Sequence, residues 1–242
     1  MFALNYPFTL ATVLGDGCLG IPKTRPNSCY LSFTHSADQR DYLVYKMNRV
    51  NEELGTAGTV SPVRGAFDSR TGKTYQICQA MVVNPVLKHI RAALYPHGKK
   101  KIDKSVLVGL GLEALAVYWM DDGSVVNSKT AKNRGLIASY CSEADALSQC
   151  EWINDLTGIK SLPYEDRGFY RIRINASEMP RFLTHIRPYM HSSMKYKATL
   201  DYSSYNTKSK REYEASLTIP FVDEGDKVTR ARNTGAKASV MI

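Results

Sequence analysis

The chain has 242 residues, 43% of them hydrophobic and 23% charged, with 32 Lys and Arg against 23 Asp and Glu for a formal charge of +9. That apolar fraction is too high for a disordered chain, 10 Pro and 16 Gly are too few for a fibrous one, and no apolar run reaches the roughly 18 residues of a membrane span. A soluble chain with this surplus of positive charge favours a polyanion, nucleic acid first. The opening residues, MFALNYPFTLATVLGDG, carry neither the pattern of a secretory signal nor the arginines of a transit peptide. The expectation is therefore an intracellular protein with no membrane partner, in the cytoplasm of a bacterial or phage-infected cell or in an organelle matrix. Cys18, Cys29, Cys78, Cys141 and Cys150 form no C-x-x-C pair and have no spaced histidines beside them. They read as reduced thiols, so any catalytic metal must be held by oxygen.

In chain order, TLATVLGDG (9–17) is an apolar helix ending in an acid and a glycine. CYLSFTH (29–35) alternates as a strand, and SADQRDYLVYKMNRVNEELG (36–55) is an amphipathic helix opened by Ser36 and closed by Gly55. Segment 73–101 holds an alternating stretch around Tyr75, a helical period, Tyr95-Pro96 and a lysine cluster. The same order then recurs. LAVYWMDDG (115–123) is followed by GLIASYC (135–141) and by SEADALSQCEWINDLTG (142–158), from Ser142 to Gly158. Segment 167–197 again holds a central Tyr170, a helical period, Pro188-Tyr189 and lysines. The predicted fold is α+β, two pseudo-symmetric αββαββα repeats over 1–98 and 99–200. Residues 201–242 fall outside the duplication as a polar, basic extension with one apolar interruption from Ala215 to Val222; their final stretch, KVTRARNTGAKASVMI, reads as a tail or as an arm that orders on a polyanion.

Within the strands, the apolar alternate residues face the helices. The opposite face carries Arg64, Arg70, Lys73 and Gln76 in the first half, and Lys129, Arg134, Arg167, Arg171 and Arg173 in the second. Arg171-Ile172-Arg173 shows the alternation directly. A solvated sheet face normally mixes both signs of charge. This one is mostly positive, which favours a binding face.

Asp16 and Asp122 each close an apolar helix and precede a glycine. A carboxylate there meets the negative end of the helix dipole, so stability alone does not place it. Either motif by itself is an ordinary turn Asp before a capping Gly. Together, heading two matching repeats, they favour a hard oxygen site for a divalent cation such as Mg²⁺, with Gly15 and Asp121 at the helix-end positions beside them.

TLATVLGDG and LAVYWMDDG resemble the paired motifs of LAGLIDADG homing endonucleases, whose eighth residue is the catalytic acid: Asp16 and Asp122 in this chain. The likeness is to the single-chain omega-intron type and covers roughly residues 5 to 200. It implies motif helices packed at a central interface, with Ala11, Gly15 and Ala116 allowing close approach, and two antiparallel saddle sheets straddling DNA. Val117, Tyr118 and Trp119 depart from the family's small residues. The resemblance also implies a lysine near each scissile phosphate: Lys100 in GKKKID and Lys197 in MKYK, with Lys101 and Lys195 as alternates. Taken alone, those clusters are solvated charge runs.

The implied function is a monomeric, site-specific double-stranded DNA endonuclease of a mobile element. It would use Mg²⁺, with Mn²⁺ able to substitute, and cut both strands of a long asymmetric target. The alternatives are a maturase that binds its host intron RNA, or a DNA-binding protein on the same scaffold that does not cut.

Overall fold

A computed structural model describes residues 5–128, 132–201, 203 and 205–223. Lys129 and residues 224–242 lie outside the described residues.

The first helix, α1 (Pro7–Leu14), starts on a proline, whose missing N–H and fixed φ suit the first helical position. Every residue from Phe8 to Leu14 is buried, the pattern of a helix enclosed on all sides. Its free N-terminal amides are met from another element. Phe8 and Thr9 donate their N–H groups to the two carboxylate oxygens of Glu53 at 2.9 and 2.6 Å.

Strands β1 (Cys18–Gly20) and β2 (Tyr30–Ser36) follow, then α2 (Arg40–Leu54), β3 (Thr59–Val60), β4 (Arg64–Asp68), β5 (Lys73–Val83) and α3 (Val86–Leu94). The sheet is antiparallel, with β1, β2 and β5 in order. Both β3 and β4 pair with the free side of β5, a single edge interrupted around Pro62, which has no N–H to donate. After a short α4 (Lys104–Leu107) the order repeats: α5 (Leu112–Asp122), β6 (Gly123–Val126), β7 (Arg134–Cys141), α6 (Glu143–Thr157), β8 (Ser161–Asp166), β9 (Phe169–Ile174) and α7 (Met179–Ile186). The second sheet runs β6-β7-β9-β8, again antiparallel. Gly55 and Gly158 end α2 and α6 in the left-handed conformation, φ 62° and 66°, as their sequence positions predict. Ser142 caps α6 by accepting from the Asp145 N–H. Ser36 instead leads into a 3-10 turn, Ala37–Gln39, and makes no side-chain cap.

Helices α1 and α5 pack on each other at the centre. Tyr118 and Trp119 do not wedge this contact apart, because both are directed into the second repeat. Tyr118 donates its hydroxyl to Gln149 Oε1 at 2.6 Å. The Trp119 ring meets Phe182 edge-on at 5.1 Å, and its Nε1 donates to the Lys197 carbonyl at 3.1 Å.

Pairing fixes which side chains share a face. Leu31, Phe33 and His35 lie opposite Val82, Ala80 and Cys78 on the buried side. Arg64 lies opposite Ile77 on the outward side, which Lys73 shares by period. Gln76 departs from expectation: two residues from buried Cys78 in an unbroken strand, it falls on the helix side of β5, near the end where the sheet outruns its cover. Arg70 sits in the turn between β4 and β5, paired with Asp68 at 3.2 Å. Arg167, at φ 56°, forms with Gly168 the two-residue turn between β8 and β9. Arg134, Arg171 and Arg173 share the outward face of the second sheet.

The described part of the stretch after residue 200 packs on the second repeat, whereas the basic final stretch read as a tail or arm lies outside the described residues. Helix α8 (Thr207–Leu217) packs on α7, burying Ser209, Tyr213 and Ser216. Beyond it, Val222 bonds with Met190 and Ser192 at 2.9 and 3.0 Å. Arg187 donates to the Ile219 carbonyl at 2.8 Å and stacks over Phe221. A polar sequence hid this packing, because two of the three residues that α8 buries are serines and its Leu217 is exposed.

Glu53→Ala removes the acceptors of two buried α1 amides. Its expected cost is roughly 0.5–2 kcal/mol, read as a lower midpoint of chemical denaturation with an unchanged slope.

Candidate active site

The ends of α1 and α5 are built alike. Lys100 Nζ donates to the carbonyls of Leu14 and Gly15 at 3.0 and 3.1 Å. Lys197 Nζ donates to those of Met120 and Asp121 at 2.5 and 2.8 Å. Each lysine thus takes up the free carbonyls and negative dipole end of one motif helix. This matching sets Leu14 against Met120, Gly15 against Asp121, and Asp16 against Asp122. Of the alternates, Lys101 pairs with Asp103 at 3.0 Å and Lys195 is exposed.

Gly15 and Asp121 occupy matching positions but differ in role. A Cβ on Gly15 would come within 2.3 Å of Asp121 Oδ2, so only glycine lets the two helix ends meet. The Asp121 carboxylate fills that space and is fully buried. Lys46 Nζ donates to both its oxygens at 2.8 and 2.6 Å. Tyr42 donates to Oδ1 at 2.9 Å, and the Asp16 amide to Oδ2 at 3.2 Å. Each oxygen already accepts two donors. For the Asp121 side chain to hold a metal, a cation would have to displace buried Lys46. The Asp121 backbone carbonyl is the ligand it can still offer.

Asp16 and Asp122 keep accessible carboxylates. Burial raises the pKa of both above the usual carboxylate range, and the neighbouring acids raise them further; Asp122 is pushed up to about 7. Burial lowers both Lys100 and Lys197, while the acids pull the other way. Three carboxylates crowded at two negative helix ends are costly to ionise together, and added positive charge relieves them.

Five residues of the site escaped the sequence reading: Tyr42, Lys46, His35, Gln39 and Tyr196. His35 is buried, and its Nε2, without a hydrogen-bond partner, lies 3.7 Å from Asp16 Oδ2. Its Nδ1 meets Gln39 Oε1 at 3.1 Å, and Gln39 Nε2 donates to the Tyr196 hydroxyl at 2.6 Å. With Nδ1–H donating to Gln39, Nε2 presents a lone pair toward the side of Asp16. Burial lowers the imidazole pKa and keeps it neutral. A ligand atom from each of Asp16, His35 and Asp121 falls within 4.8 Å of the others. A carboxylate and a partnerless imidazole nitrogen converging on one place fit a cation. Lys46 carried a signal in the sequence: it lies on the apolar stripe of α2, four residues from both Tyr42 and Val50. For His35 the signal was its place on the buried alternation of β2.

Two sheets flanking a pair of packed, acid-ended helices, each end with its own lysine, define a scaffold of the LAGLIDADG type. The model of the LAGLIDADG DNA endonuclease family matches residues 9–182, and the chain belongs to that family. Among solved structures, the homing endonuclease I-WcaI bound to its DNA recognition sequence shares the fold, with a TM-score of 0.68 at 15% identity over 82% of this chain and 87% of that one. Among curated proteins, the chain is similar to Protein RecA of Mycolicibacterium flavescens, 25% identical over 89% of this chain and 51% of that protein. Protein RecA of Mycobacterium gastri is 29% identical over 50% of this chain and 26% of that protein. The chain thus spans at most about half the length of these relatives. Among the described residues, no helix is long and apolar enough to cross a membrane.

Lys46→Met leaves a buried, uncompensated carboxylate, with an expected cost of about 3–5 kcal/mol. Adding Asp121→Asn should restore much of that loss, which a urea-denaturation double-mutant cycle measures directly.

Proposed function

We propose that this protein is a site-specific double-stranded DNA endonuclease that hydrolyses one phosphodiester on each strand with divalent metal ions. The observation that carries the reading is the doubling: Asp16 with Lys100 on one helix end, Asp122 with Lys197 on the other, one set for each strand. A maturase or a non-cutting DNA-binding protein has no need of either set.

The donors suit a hard cation: the carboxylates of Asp16 and Asp122, the helix-end carbonyls of Gly15 and Asp121, and His35 Nε2 on the first side. When bound, Mg²⁺, or Mn²⁺ in its place, supplies a Lewis acid and a water that is nucleophilic at neutral pH. Lys100 and Lys197 turn from the helix carbonyls to the phosphate and stabilise its developing negative charge. His35, held neutral and fixed by Gln39 and Tyr196, orients what binds beside Asp16.

DNA lies across the outward sheet faces. Arg64, Lys73, Arg134, Arg171 and Arg173 point toward it, and Arg70 and Arg167 at the hairpin turns grip phosphates, so affinity falls with salt. Residues 1–98 and 99–200 each engage one half-site. Because the halves differ in sequence, a monomer reads an asymmetric target.

Asp16→Asn and Asp122→Asn should each keep DNA binding while abolishing linearisation of a supercoiled plasmid that carries the target, as should removal of divalent ions with EDTA. Wild-type linearisation by either variant would refute the assignment. Lys100→Ala and Lys197→Ala should slow single-turnover cutting by about 10²–10³-fold, with little change in binding.

A further inference from the structure

The outward faces of the two sheets carry different chemistry. In the first, the middle rows set Ser32 against Met81, Thr34 against Gln79 and Ser36 against Ile77. The first two of these rows carry no charge, and in the third Arg64 stands on the other side of Ile77. Lys73 stands further along, at the hairpin turn. Met81 and the neighbouring Val83 are 51% and 52% exposed, an apolar pair that water does not favour on an open sheet. In the second sheet, Arg173 stands between Leu136 and Leu162, and Arg171 beside Tyr164. Both arginines lie on β9, an interior strand, so they rise from the middle of the face, away from its rim.

The arginines are also prepared for directional contacts. Arg171 is fixed by Asp166 at 2.5 Å and by the Tyr140 hydroxyl at 2.6 Å, with its guanidinium over the Tyr140 ring. The Nε atoms of Arg171 and Arg173 are buried without a hydrogen-bond partner. A guanidinium held in one orientation suits bidentate recognition better than loose charge neutralisation. In the major groove, arginine pairs with guanine O6 and N7, glutamine with adenine, and apolar side chains with the thymine methyl.

We propose that the two half-sites differ in base composition. The half under the second sheet is guanine-containing and read by Arg171 and Arg173. The half under the first sheet is A·T-rich, read by Gln79 and by the apolar contact of Met81. This deepens the endonuclease reading and rests on it.

The test is a binding selection with the full chain carrying Asp16→Asn and Asp122→Asn, on duplexes randomised on both sides of a central segment. The expected result is guanine enrichment confined to one half-site and A·T enrichment in the other. Arg173→Gln should then lose about tenfold to a hundredfold discrimination at a single guanine position. Met81→Ala should weaken a thymine preference in the opposite half. Equal composition in the two halves overturns the proposal and leaves the endonuclease reading standing. So does a uniform affinity loss in Arg173→Gln, the mark of a phosphate contact, provided that circular dichroism shows the variant folded. Selection of no duplex at all defeats the endonuclease reading and this proposal with it.

Discussion

The structure depends on the close approach of two helix C-termini. Where α1 and α5 meet, Gly15 has no side chain and Asp121 occupies the space. That exchange lets two negative dipole ends and three carboxylates converge, a charge arrangement that folding would otherwise avoid. It persists because each piece of negative charge has an answer. Lys46 neutralises Asp121 in the interior, and Lys100 and Lys197 take the exposed carbonyls. Asp16 and Asp122 are the acids left without an intimate cation, the kind of perturbed charge that clusters at functional sites.

Symmetry at the helix ends therefore hides an asymmetry beside them. The first half supplies Lys46, Tyr42 and His35 around the junction. The second supplies Gln149, which bonds Tyr118 and not an acid. Such a division suits a single chain with two fused halves: one half holds the junction together and the other closes against it. The C-terminal segment belongs to this arrangement. Leu200 donates to Tyr213 of α8 at 3.1 Å, and Trp119 bonds the Lys197 carbonyl from the motif helix itself. The 3-10 segment that presents Lys197 is thereby held from both sides, whereas Lys100 comes from the connection between the repeats.

Much of the architecture was legible in the sequence, for specific reasons. Periodicity and the capping glycines Gly55 and Gly158 mark helices whose ends local sterics decide. Period-two alternation placed Arg171 and Arg173 on one face correctly. The same rule, applied across an odd interval, misplaced Gln76 relative to Lys73. The packing of α8 was missed because polar residues dominate its composition, and only a neighbouring surface reveals which few are buried.

By itself the sequence determined the duplication, the paired acids and the lysine clusters, because these are local patterns repeated at a distance. Only the tertiary structure decided which lysine of each cluster reaches a helix end, that Asp121 is neutralised while Asp16 and Asp122 are not, and that His35 stands beside Asp16. Those outcomes depend on contacts between residues such as Lys46 and Asp121, which lie 75 positions apart in the chain. No local propensity encodes such a meeting: it follows from how closely two helices pack, and one missing side chain at Gly15 sets that distance.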